Sequence, residues 1–300
     1  MNITLTGASG FIGRALITRL QAEGHHLHIL GRKPPHDPDI PFSKWDANAG
    51  QMPPSEALAD SEAIIHLAGE PIAQRWSSDV KRRIRDSRVN GTRLLVDAIA
   101  AMNEAARPKA LIAASAIGFY GDRGDEILNE TSKPGKGFLP DICVEWESAA
   151  QTAEVKCGMR VVRLRIGVVL GQGGGAIAQM LPFFRMGTGG RIGTGHQWMS
   201  WVHLDDLVGL LLFALNDETL SGPVNGTSPN PVTNAEFTQT LGEVIHRPTK
   251  LPVPEFGLKM LYGEMAQVLL EGQRVLPDAA ARAGYHFRFP DLRTTLATVT

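Results

Sequence analysis

Residues 1–24 read MNITLTGASGFIGRALITRLQAEG, and this stretch decides the fold. NITLT (2–6) is a β-rich run that ends at Gly7. FIGRALITRLQAEG (11–24) places apolar residues at 12, 16, 17 and 20, a helical spacing, and Gly24 supplies a C-terminal stop. Between them TGASGFIG (6–13) sets Gly7, Gly10 and Gly13 directly after a strand and directly before a helix. A dinucleotide cradle needs one glycine for the tight turn, one where backbone meets the pyrophosphate, and one where helix packs on strand. The pyrophosphate then faces the free N–H groups and positive end of the helix. The pattern predicts nucleotide contacts from Gly7, Ser9, Gly10, Phe11, Ile12 and Gly13; a plain structural turn is the competing reading.

Outward from this turn the chain alternates. Strands are expected at HLHIL (26–30), EAIIHL (62–67), KALIAAS (109–115) and RVVRLRIGVVL (160–170). A Pro-rich loop spans 34–54, one long helix is expected over 79–102, and Pro140 opens another that runs to Gly158. Apolar strands alternating with helices predict an α/β protein, a Rossmann-type doubly wound parallel sheet covered on both faces. Past residue 170 glycine clusters appear in GQGGG (171–175), GTGG (187–190) and GTG (193–195). A helix to 215 follows SWVHLDDL (200–207), and a capping box pairs Thr233 with Glu236. The division expected is a nucleotide-binding domain over 1–170 and a smaller C-terminal lobe over 171–300, capping the sheet and interleaved with it.

The end of the second strand refines the cofactor. An NAD site offers an acidic residue there for the ribose hydroxyls, whereas this chain offers Gly31, Arg32 and Lys33. A guanidinium binds a 2′-phosphate through paired hydrogen bonds, so NADP(H) is favoured over NAD; the alternative is an Arg32 that merely ends a strand in solvent. Leu67, Ala68 and Gly69, followed by Glu70, close the third strand where ribose or pyrophosphate lies, and Val169 closes the fifth. Arg83 and Arg88 in KRRIRDSR (81–88) reach the phosphates in one reading and form a solvated helix face in the other.

Composition narrows the classes. A net charge of −1 argues against a nucleic-acid partner held through phosphates. The two cysteines, Cys143 and Cys157, build neither a disulfide framework nor a four-ligand zinc site, and no metal site is expected. No apolar run reaches the ~18 residues of a membrane helix, and MNITLTG lacks the features of a signal peptide. A cytoplasmic monomer or homodimer with a small-molecule substrate and no membrane partner is expected.

TGASGFIG, LAG, the asparagine of SRVNGTRLL (87–95), SAIGFYGD (115–122) and VHLDDL (202–207) together resemble the extended short-chain dehydrogenase/reductase superfamily. More narrowly, AGEPI (69–73), RW (75–76), GVVLGQGGGA (167–176), GTGHQWMSWVHLDDL (193–207), NAEF (234–237) and LLEGQRVLP (269–277) look like its atypical epimerase-family proteins, which carry a C-terminal segment of unassigned role. The resemblance implies a Rossmann fold and an NADP-type cofactor and leaves the substrate unassigned. The superfamily's chemistry rests on Tyr-x-x-x-Lys, in which the lysine charge favours the phenolate. This chain departs from it: four places after Tyr120, Tyr262 and Tyr285 stand Gly124, Ala266 and Phe289. In DICVEWESAA (141–150) Cys143 aligns with the tyrosine and Glu147 with the lysine, and Ala116 takes the usual serine place with Ser115 one residue before it.

Ser115, Tyr120 and Glu147 are therefore the catalytic candidates, with Glu147 as an acid beside the cofactor or as a plain polar residue. Cys143 reads as packing, and His203 and Asp205 as minor candidates inside a structural motif. Arg191, Gln197, Trp198 and Ser200 are the candidate substrate contacts, with loop structure as the alternative. Two functions remain open at this level: an NADP-dependent oxidoreductase or epimerase, and a non-catalytic NADP(H)-binding sensor or scaffold.

Overall fold

The computed structural model describes residues 1–300. In chain order the elements are β1 (Asn2–Thr6), α1 (Phe11–Ala22), β2 (His26–Gly31), β3 (Phe42–Lys44), β4 (Ala63–His66), α2 (Ser78–Ala100), β5 (Ala110–Ala116), β6 (Ile127–Leu128), α3 (Phe138–Cys157) and β7 (Arg160–Ile166). There follow β8 (Val168–Gly171), α4 (Gly175–Arg185), β9 (Trp198–Met199), β10 (Trp201–His203), α5 (Leu204–Asn216), β11 (Gly222–Gly226), β12 (Val232–Thr233) and α6 (Asn234–Val244). The last are α7 (Glu255–Tyr262), α8 (Gln267–Leu270), β13 (Arg274–Val275), α9 (Asp278–Arg282) and α10 (Leu292–Val299).

Seven strands form one parallel sheet in the order β3-β2-β1-β4-β5-β7-β11. The chain starts in the middle, winds outward through β3, then returns to β4 beside β1. The order reverses there, so β1 and β4 border the crevice where open α/β sheets bind ligands. Ile3 is paired with Leu27 on one side and Ala63 on the other.

Both faces are covered, which is why these strands read as apolar runs. Leu16 and Leu20 of α1 and Leu207 and Leu211 of α5 bury one face on Ile3, Leu5 and Ile29. Leu95 and Ile99 of α2 with Ala150 and Ala153 of α3 bury the other on Ile64 and Leu111. A third core, of Leu170, Ile177, Phe184, Trp201, Phe237, Leu241 and Leu296, holds α4, α6 and α10 together.

Three elements differ from the sequence reading. The run 160–170, expected as one strand, breaks at Gly167, which packs on the Ser200 carbonyl, into β7 of the main sheet and β8, which pairs with β10 in a separate sheet. The Pro-rich loop carries β3, a three-residue edge strand too short to show a period of two. The glycine-rich region carries α4, with Pro182 inside the helix and glycines only at its start. β11 comes from residues past 170 yet completes the main sheet beside β7.

Candidate functional site

The glycine turn is built as a cradle. Gly7 has φ +74°, and a Cβ there would lie 2.6 Å from the Leu67 carbonyl carbon. A Cβ on Gly13 would lie 2.3 Å from the Gly7 oxygen, so only glycine lets α1 sit this close to the turn. Gly10 caps α1 without a side-chain hydrogen bond, and no acidic residue stands in the first turn. The first N–H groups are thus left for an anion, as a pyrophosphate site requires. Ser9 contributes its carbonyl to Arg14 Nη1 at 2.8 Å. Phe11 is gripped from the other side: Cβ atoms on Gly174 and Gly175 would come within 2.2 and 2.8 Å of its ring.

The LAG segment is set by a buried relay. Thr6 Oγ1 accepts from the Leu67 and Ala68 N–H groups, both at 3.1 Å, and meets His66 Nδ1 at 2.7 Å. His66 Nε2 meets Thr92 Oγ1 at 3.0 Å, which also accepts from Trp146 Nε1. Burial lowers the His66 imidazole to about 4, so it is neutral here and acts as a spacer.

At the end of β2, Arg32 is exposed, 4.0 Å from Glu70, while Arg83 approaches the other Glu70 oxygen at 3.5 Å. Lys33 is exposed beside them. Two guanidiniums and an ammonium thus gather at the edge where a 2′-phosphate would lie. Arg88 is placed elsewhere. Its Nη1 donates to the carbonyls of Glu70 and Ile84, and its guanidinium lies beneath Gly69 and over the Trp146 ring at 5.2 Å.

The three catalytic candidates come together in one buried network. Glu147 Oε1 accepts from Ser115 Oγ at 2.7 Å, and both Glu147 oxygens are held by Arg165, at 2.7 and 2.8 Å. Arg165 Nη1 donates to Tyr120 OH at 2.9 Å, and that hydroxyl donates to Asn225 Oδ1 at 2.7 Å. Burial pushes the Tyr120 phenol up to about 12, against the pull of Arg165. Burial and the neighbouring Glu147 push the Cys143 thiol up to about 12 as well. Neither is poised to give or take a proton near neutrality. Arg165 and Asn225 were not singled out in the sequence; the available signal was a basic residue inside the apolar run RVVRLRI.

Beside this network, at the C-terminal ends of β4, β5 and β7, lies a cavity of about 180 Å³. Ala114–Ala116, Leu67 and Ile166 form one wall, and Cys143, Ile142, Trp146 and Arg88 form another. None of the four candidate substrate residues lines it. Gln197 Nε2 donates to the Ile192 and Leu269 carbonyls, Trp198 Nε1 to Asp125, and Ser200 Oγ to the Gln273 carbonyl. The Arg191 carbonyl accepts from Val253 N, and its side chain is exposed. These residues tie the C-terminal segment to the rest of the chain. Val169 pairs with Val202 in the short β8–β10 sheet, next to Phe11. His203 Nδ1 accepts from Asp205 N and caps α5, so its ring is committed too.

The profile of the NAD dependent epimerase/dehydratase family matches residues 3–225, and that of a domain of unknown function, DUF1731, matches residues 253–299. The chain is 43% identical, over 100% of its own length and 86% of the relative's, to the Arabidopsis thaliana protein named epimerase family protein SDR39U1 homolog, chloroplastic. The crystal structure of human epimerase family protein SDR39U1 with NADPH superposes with a TM-score of 0.88 at 35% identity, covering 100% of this chain and 99% of that one. A Thermotoga maritima UDP-glucose 4-epimerase shares the fold, with a TM-score of 0.79 at 18% identity over 99% of this chain and 97% of that one. The glycine cradle, the sheet order and the full-length match lead to one conclusion: this chain belongs to the NAD dependent epimerase/dehydratase family.

Proposed function

We propose that the protein is an NADP(H)-dependent oxidoreductase acting on a small organic molecule without a tyrosine–lysine proton relay. The observation that carries this reading is the cavity of about 180 Å³ at the carboxyl ends of β4, β5 and β7, adjoining the glycine cradle. Arg32, Lys33 and Arg83 at the β2 edge support NADP(H) over NAD, as does the NADPH held by the human relative. When bound, the nicotinamide supplies the hydride. The chain's part is to shape a mostly apolar space beside it and to keep charged groups pinned. Tyr120 and Cys143 stay protonated, and Glu147 is neutralised by Arg165, so the proton comes from water. This suits reductions in which proton delivery is not the hard step, such as those of enones and quinones.

The experiment is NADPH oxidation by the pure protein across a panel of carbonyls, quinones and enones, beside a binding titration with NADPH and NADH. Turnover on an enone or quinone, with NADPH bound more tightly than NADH, is expected. A second reading, a non-catalytic NADP(H) sensor, is favoured by the occupied hydrogen bonds of all three catalytic candidates. Tight NADPH binding with silence across the whole panel would select it.

A further inference from the structure

We propose that the cavity is a carboxylate site, with Arg88 as the residue that recognises the anion, and that its natural occupant is a compact, largely apolar carboxylate. The inference rests on the reading of the cavity as the substrate space and deepens it.

Arg88 is a half-buried cation with no carboxylate oxygen within 4 Å of its guanidinium, although the Glu70 charge lies nearby. Its Nη1 is used by two backbone carbonyls, at 2.9 and 3.2 Å, while Nε and Nη2 have no partner in the chain. Neither atom is among the closed-off unpaired groups of the protein, so both remain open to a ligand. Glu70, whose carbonyl accepts from Arg88 Nη1, turns its carboxylate to Arg32 and Arg83 instead. Glu147, across the cavity wall, is saturated by Arg165 and Ser115. Burial accordingly lowers the Arg88 guanidinium from its usual range. Nε and Nη2 lie side by side on the guanidinium, so a ligand carboxylate can take both through paired, charge-assisted hydrogen bonds.

The rest of the wall sets the remainder of the ligand. Leu67, Ile72, Ile84, Leu139, Ile142 and Ile166 offer apolar contact. Trp146, stacked on the guanidinium, keeps Arg88 oriented. Ser115 Oγ lines the cavity but gives its proton to Glu147, so it presents lone pairs and discriminates against a second anion. An apolar cavity of roughly 150 Å³ holds benzene, so about 180 Å³ admits a molecule near the size of benzoate.

Calorimetric titration of the NADPH-loaded protein with sodium benzoate and with benzyl alcohol, matched in size, tests the site. Benzoate should bind at least about tenfold more tightly, the worth of one good charge-assisted pair. Arg88→Gln should bring the two probes to parity, and Arg88→Lys should keep a reduced preference for benzoate. Equal binding of the two probes to the wild type overturns the proposal, even if a variant fails to fold. So does a benzoate preference that survives Arg88→Gln, or benzoate that competes with NADPH, since the cavity would then belong to the nicotinamide. The hydride-transfer reading fails separately: it falls if no substrate oxidises NADPH, whatever benzoate does.

Discussion

At the scale of single residues, Glu147 and Arg165 show how a position aligned with a catalytic lysine becomes structural. A carboxylate there is tolerable because β7 delivers a guanidinium with matching geometry, both side chains being almost fully buried. Glu147→Gln leaves Arg165 uncompensated and should cost about 3–5 kcal/mol in a urea titration. The double change Glu147→Leu, Arg165→Met should cost much less, because neither charge is then stranded. Arg32→Ala should weaken NADPH roughly tenfold and leave NADH unchanged, read from paired binding titrations. His66 sets a pH limit. Its folded value of about 4 lies below the ordinary 6.5, so the unfolded chain takes up the proton first as pH falls. Stability from this group is intact above pH ~6.5 and declines down to ~4, by about 3 kcal/mol in all. Urea titrations between pH 7 and 4.5 should therefore show a steeper loss in the wild type than in His66→Gln. Of these residues Arg32 was legible as a basic residue directly after a strand. His66 and Arg165 were not, because their meaning depends on Thr92, Trp146 and Glu147, which are 18 or more residues away.

At the scale of elements, the decisive contact joins the first glycine turn to the second. Gly171, Gly174 and Gly175 close on Phe11, the first residue of α1, so the later glycines shape the nucleotide cradle from outside. Glycines 7 and 13 could be assigned from spacing, since a strand–turn–helix unit is local. The later cluster showed only that backbone comes close to something. Gly174→Ala should push the Phe11 ring away, weaken NADPH binding and leave most of the stability. Gly13→Ala meets backbone instead, which cannot give, and should cost at least about 1–3 kcal/mol as well as NADPH binding. Thermal melts with and without NADPH distinguish the two: Gly174→Ala loses the ligand-induced rise, Gly13→Ala loses the baseline too.

At the scale of the whole molecule, the C-terminal segment is woven into the parts that hold the site. β13 pairs with β6, Asn225 Nδ2 donates to the Leu276 carbonyl, and Ser200 bridges Gln273 and Val275. The buried Asp206 of α5 accepts from the N–H groups of Arg288 and Phe289, while α10 closes the third core. Ending the chain at residue 252 should therefore leave an insoluble or loosely packed protein. The full chain should melt in one calorimetric transition; a separate transition for the last 50 residues or so would mean that these contacts are weak.

By itself the sequence determined the parallel sheet and the glycine cradle, because each rests on local spacing: a period of strand and helix, and a turn of three glycines. It also showed that Tyr-x-x-x-Lys is absent. What replaced that pair was decided by tertiary structure alone. Glu147 meets Arg165, Tyr120 meets Asn225 across 105 residues, and Arg88 lines a cavity with no carboxylate within 4 Å. Whether a charged side chain is paired, exposed or waiting for a ligand depends on which distant segments fold against it, and no spacing along the chain encodes that.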